Sequence, residues 1–149
     1  MSFSILCQLN NGCMGCCGNH FVKEKMKDSI HLNTKEFEEA NPKLRQEFIQ
    51  FRDRRDSYDL RNGVCRNLIE EKGRFVCPLH PSRHPKGQEE LRLGHCDVFH
   101  LCNTAKEFAT WHKKKQEQFI TFIESKGLNN IEYSLSMNAG KLLKEFREK

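Results

Sequence analysis

Apolar and polar positions alternate at helical spacing over two long stretches. In "NPKLRQEFIQFRDRR", Leu44, Phe48 and Phe51 fall at i, i+4 and i+7, with Ile49 beside them, which predicts one buried helix face. Just before it, "NTKEFEEA" offers Asn33 or Thr34 as a cap, and Asn33 and Glu36 have capping-box spacing. Asn41 followed by Pro42 predicts the start of the next helix, so the helical stretch is placed at about 33–60. After residue 102, Thr104 and Glu107 again have capping-box spacing. Ala105, Phe108, Trp111, Phe119, Phe122 and Ile123 then form an apolar stripe with one gap, and Gly127 closes it. "IEYSLSM" alternates strictly and predicts an extended segment, whereas "NAGKLLKEFREK" predicts a last helix with Leu142, Leu143 and Phe146 inward.

Between these stretches the pattern breaks down. Residues 1–22 and 63–102 are rich in glycine, proline and cysteine and predict loops. Only "VCRNLI" and "RFVCPL", separated by "EEKG", suggest one short β-hairpin. The expected fold is mainly α with irregular metal-stapled cysteine loops and one short hairpin, as a small single domain. A cysteine-rich part, 1–102, would carry the helical insert, and a C-terminal helical segment, 103–149, would pack on it.

Composition sharpens this. The chain has 149 residues, is 37% apolar and holds eight cysteines. So small a core gains from covalent or metal cross-links. No apolar run nears the roughly 18 residues that span a membrane. "MSFSILCQLNNG" lacks a basic start, and its apolar run of about four residues is too short for a secretory signal. The expected location is therefore cytoplasmic, where lasting disulfides are uncommon and clustered thiols point to metal.

The thiols are Cys7, Cys13, Cys16, Cys17, Cys65, Cys77, Cys96 and Cys102. Thiolate sulfur suits zinc and iron alike, and a C-x2-C pair on a tight turn, as at Cys13 and Cys16, supplies two ligands of a tetrahedron. Cys17 adjoins Cys16. Adjacent side chains in extended backbone point to opposite faces, so the pair is expected to serve two neighbouring ions or one multi-metal cluster. The later gaps of 11, 18 and 5 residues are not those of a zinc ribbon, and tertiary folding must bring these thiols together. Cys7 follows "SFSIL" and can equally pack as a small apolar residue. His80 and His95 lie near Cys77 and Cys96 and are added as candidate ligands. A disulfide scaffold and a "CMGC" dithiol fit less well, since neither an oxidising compartment nor a βαβ context is indicated.

The net charge of +5 hints at acidic partners, but eight thiolates on two divalent ions would change it by about −4. "HKKKQEQ" is a solvated helix face without interleaved aromatics, which argues against nucleic acid. No phosphate loop, dinucleotide fingerprint, G-x-S-x-G or H-E-x-x-H is present.

"GCMGCCGN", "HLNTKEFEEA", "GVCRNL" and "GRFVCPLHPSRHP" together resemble the YkgJ-like family, cysteine-rich proteins described as zinc- or iron-chelating domains. The likeness covers roughly residues 7–102. The spacing before Cys13 is longer than in that family, and "RHPKG" stands where it has a further cysteine, with Cys96 arriving later. The resemblance implies chelation and no particular reaction. The leading expectation is a metal-binding protein with a structural, storage or delivery role, holding more than one ion of zinc or iron, an iron–sulfur cluster included. The alternatives are an iron or iron–sulfur dependent oxidoreductase or modifying enzyme, and a zinc-stapled module for a protein, peptide or nucleic-acid partner.

Overall fold

The computed structural model describes residues 4–15, 17–84, 90–96, 98 and 100–148. It is mainly helical, with two small antiparallel strand pairs. Among the described residues no helix is long and apolar enough to cross a membrane. The chain divides into two units. One combines residues 1–16 with 99–149, and the other is residues 17–98. This differs from the division at 102/103 suggested by the sequence, because the first thiol loop packs with the C-terminal helices.

In the unit of residues 17–98, α1 (Lys23–Ala40) begins ten residues earlier than the cap expected at Asn33. Its buried stripe is Met26, Ser29, Ile30 and Asn33, so Asn33 is a core position and not a cap. Asn41 ends this helix in the left-handed region (φ 44) instead of starting the next. α2 (Arg45–Asp53) starts after Leu44, where Glu47 Oε1 accepts from the backbone N–H of Lys43 and Leu44. Phe51 is buried and meets Phe37 edge-on, while Leu44 is exposed.

The expected hairpin forms as β3 (Ile69–Glu71) and β4 (Arg74–Val76), turning at Lys72 and Gly73, both at positive φ. "VCRNLI" is not one strand. Its Val64–Cys65, as β2, pairs with β1 (Leu60–Arg61) across Asn62 and Gly63, again both at positive φ. Asn-Gly is the residue pair such a two-residue turn favours.

In the other unit, a 3-10 turn (Ile5–Asn11) precedes α3 (Asn103–Ala109), α4 (Lys113–Ser125), α5 (Asn130–Ala139) and α6 (Lys141–Arg147). Leu6, Phe108, Phe119, Ile123, Tyr133, Met137 and Leu142 share one core, and the ring of Phe119 meets those of Trp111 and Phe146. The gap in the apolar stripe is the break between α3 and α4. His112 caps the second of these, its Nδ1 accepting from the Lys114 N–H. "IEYSLSM" is helical, not extended. Asn129 caps α5 by accepting from the Glu132 N–H, and Tyr133 and Met137 are buried one turn apart. Capping and the i, i+4 pair outweigh the accidental alternation.

Two neighbouring residues of α5 hold the N-terminal thiol loop. Tyr133 Oη donates to the Leu6 carbonyl at 2.5 Å, and Ser134 Oγ accepts from the Met14 N–H at 2.9 Å. Tyr133→Phe leaves a buried carbonyl unpaired and is expected to lower unfolding free energy by about 1–3 kcal/mol, read from urea midpoints. An unchanged midpoint would show that this anchor carries no weight.

Candidate metal centres

Both units gather cysteines, and each draws on both cysteine-rich stretches of the sequence. In the unit of residues 1–16 and 99–149, the Cys13 N–H donates to the Cys7 carbonyl at 2.9 Å. Cys13 Sγ accepts from the Gly15 N–H, and Cys102 Sγ, at the N-cap of α3, accepts from the Ala105 N–H, both at 3.4 Å. Backbone N–H groups aimed at sulfur favour thiolate. Burial nevertheless dominates and pushes the Cys13 thiol up to about 12, with the neighbouring charges of Cys7 and Cys102 adding to the rise. Burial likewise raises Cys102, again with Cys7 adding. These three thiols are therefore electrostatic neighbours. Cys16 lies outside the described residues.

The second group is built by a close approach of two glycines. The Cys65 N–H donates to the Cys17 carbonyl at 2.7 Å, and the Asn19 N–H donates to the Gly63 carbonyl at 2.9 Å. Gly18 bridges Val64 between them. A Cβ on Gly18 would stand 1.9 Å from the Gly63 carbonyl oxygen, so no side chain fits. This contact lays Cys17 beside Cys65. Cys77 follows β4, and burial pushes its thiol up to about 12, with Cys65 and Cys96 adding and Arg92 opposing. Cys96 is raised by burial and by Cys65, against Arg92 and Arg66.

Asn33 holds this second group from beneath. It is fully buried on α1, and its Nδ2 donates to the carbonyls of Cys65 and Leu68, each at 3.0 Å. Its Oδ1 accepts from Arg61 Nη1 at 3.0 Å. One helical step on, Thr34 Oγ1 accepts from the Glu70 N–H at 3.0 Å. Arg54 completes the frame, donating to Asn67 Oδ1, Glu36 Oε1 and the backbone carbonyls of Phe51 and Arg66. Burial works against ionisation of Glu36, but hydrogen bonds from Arg61 and Arg54 outweigh it and hold the carboxyl below its usual range.

The structure thus makes neighbours of Cys7, Cys13 and Cys102 in one unit and of Cys65, Cys77 and Cys96 in the other, where Cys17 joins Cys65 through its backbone carbonyl. His80 stays beside Cys77, its N–H donating to the Cys77 carbonyl at 3.1 Å, and His95 directly precedes Cys96. The His95 Nδ1 pairs with Ser57 Oγ at 2.9 Å, with Asp53 at 4.0 Å. The charges acting on the half-buried His80 ring are those of Arg92 and Glu90. Among the described residues, no group of three or more His, Cys, Asp or Glu side chains stands ready-made as a metal-ligating array.

Sequence reasoning missed Asn33, the Gly18–Gly63 contact and Arg54. The Asn62-Gly63 pair was a legible hairpin signal for the second of these, whereas nothing in the sequence marks Asn33 as an anchor. No known family model, curated protein or solved structure matches the chain.

Proposed function

We propose that this chain is a metal-binding cysteine-cluster protein of the YkgJ-like kind, holding zinc or iron in two separate thiolate sites. One site takes Cys7, Cys13, Cys16 and Cys102, and the other takes Cys17, Cys65, Cys77 and Cys96. The observation that carries this reading is the sorting of the thiols by the fold, each group within one unit. Cys16 enters by its C-x2-C spacing with Cys13, and the division of the chain falls between Cys16 and Cys17. Adjacent cysteines that cannot easily share one ion then serve two.

Four thiolates close the coordination of a tetrahedral ion. The reading therefore favours a structural, storage or delivery role over a catalyst with an open position, in a reducing compartment such as the cytoplasm. Metal would draw off thiol protons that burial otherwise retains, so that binding and ordering of the loops are linked.

The test is metal content of anaerobically purified, untagged protein, by elemental mass spectrometry with a visible spectrum. Two ions per chain are expected. Cys13→Ser and Cys77→Ser should each remove one, and the double variant both. Cys7→Ser should behave as Cys13→Ser, although its sequence context alone marks it as the most expendable thiol. Loss of all metal from either single variant would instead indicate one shared cluster. Wild-type protein without metal would refute the proposal.

A further inference from the structure

Arg66 is the largest fully buried side chain among the described residues, at 1% exposed. It follows Cys65 directly, and its Nη1 donates to the carbonyl of His95, the residue before Cys96, at 3.4 Å. The side chain thus runs from the residue after Cys65 to the residue before Cys96. Its Nε and Nη2 are buried and have no hydrogen-bond partner among the described residues. The carboxylate of Asp53 does not supply one, since it is taken up by Arg52 at 2.7 and 3.1 Å.

A buried guanidinium with two idle donors is costly, and such a cation persists where an opposite charge is to be met. The backbone around it is firmly held, with the Arg66 carbonyl accepting from Arg54 Nη2 at 2.5 Å. Besides Asp53, the described neighbours able to gain negative charge include the thiols of Cys65, by sequence, and Cys96, across the His95 contact. A divalent ion on four thiolates carries a net charge of −2, whereas two thiolates and two imidazoles would leave it neutral.

Resting on the metal reading above, we infer that the centre of the 17–98 unit is an anionic all-thiolate site and that Arg66 is its built-in counter-charge, its idle N–H groups offered to the thiolates of Cys65 and Cys96. Arg92 supports the same site more weakly, because its guanidinium is shared with Glu90 at 2.9 Å. Around Cys13 and Cys102 the groups that act most strongly are other thiols and backbone N–H. The two sites therefore differ in how their charge is met.

The experiment uses the full chain loaded with zinc, as wild type, Arg66→Leu and Arg66→Lys. Chelator competition and thermal melts of loaded and metal-free protein are read together. In Arg66→Leu, one of the two ions should leave at roughly 10- to 100-fold lower chelator concentration while the other is unmoved. Its metal-free form should melt no lower than wild type, since an unpaired buried charge has been removed. Arg66→Lys should recover part of the affinity, keeping the charge but not the planar fork. Two ions held as tightly by Arg66→Leu as by wild type would overturn the inference and leave the metal reading standing. So would a parallel loss of both ions and of metal-free stability, which is the mark of a merely structural residue. Wild-type protein that takes up no zinc or iron would overturn both.

Discussion

Gly18→Ala should strip one metal ion from the protein and lower its unfolding free energy by roughly 3 kcal/mol. The added Cβ would stand 1.9 Å from the Gly63 carbonyl oxygen and 2.7 Å from the Phe21 ring. The first of these neighbours is backbone and cannot swing aside. Gly63 is itself confined, at φ 89 with so little room that a Cβ on it would stand 2.6 Å from the Asn19 carbonyl oxygen and 2.7 Å from that of His20. The segment from Cys17 to Asn19 must therefore part from the β1–β2 turn. That breaks the Cys65-to-Cys17 and Asn19-to-Gly63 hydrogen bonds and takes Cys17 away from Cys65. Gly73→Ala is the matched comparison. It has no atom within 4 Å of its Cβ and only its positive φ to object, so about 1 kcal/mol and no metal should be lost. Equal effects of the two substitutions, in urea midpoint and metal content, would show that the glycine contact does not position the site.

The same contact shows what the sequence made legible and what it did not. Glycines flanking Cys13, Cys16 and Cys17 plainly announce tight turns, and helical periodicity locates the apolar faces of α2, α4 and α6. The partner of Gly18 lies 45 positions away at Gly63. Local pattern carries no information about such a pairing, because it depends on which two backbones the tertiary fold brings into contact. Periodicity also misleads where a polar residue occupies a core position. Asn33 satisfies the spacing of a capping box, yet Met26, Ile30 and Phe37 continue the same helix face on either side of it. A cap and a buried anchor use the same amide chemistry, and only the carbonyls that the amide meets distinguish them. "IEYSLSM" failed for the complementary reason. Its alternation matches a strand, but Asn129 and Glu132 had already set a helix start.

The grouping of the thiols follows a similar logic. Read along the chain, four cysteines precede the cysteine-free stretch of 23–62 and four follow it, and the two sets are expected to meet at two neighbouring ions or one multi-metal cluster. The fold divides each set between the two units instead. Tyr133 and Ser134 of α5 draw Leu6 and Met14 to the C-terminal helices, which commits Cys7 and Cys13 to the company of Cys102. Beyond Cys16 the chain turns to the β1–β2 hairpin, which commits Cys17 to the company of Cys65. Two adjacent cysteines thereby fall to different units, and their adjacency ceases to be an obstacle.

Asn33→Ala should be the other large effect, and it arises wholly beneath the site. Removal of the amide leaves the carbonyls of Cys65 and Leu68 without the donors that now meet them at 3.0 Å each, and deprives Arg61 of an acceptor. The Cys65 carbonyl keeps the Leu68 N–H at 3.2 Å, so with about 1–3 kcal/mol for the Leu68 carbonyl and about 1 kcal/mol for each of the other two hydrogen bonds, the loss should total roughly 3–5 kcal/mol. Because Asn33 grips the Cys65–Leu68 turn from a rigid helix, affinity for one metal ion should also fall by about 10- to 100-fold, while the other ion stays. Asn33→Asp separates the two contributions of the side chain. It keeps size and an oxygen facing Arg61 but sets a carboxylate oxygen against two carbonyls, so it should be at least as damaging as alanine at neutral pH. If both variants unfold at the wild-type urea concentration and keep two ions, Asn33 is a bystander and the Cys65 turn is held by Arg54 and the strands alone. If instead both lose stability and one ion together, the second thiol group is organised from α1, by a residue that carries none of its chemistry.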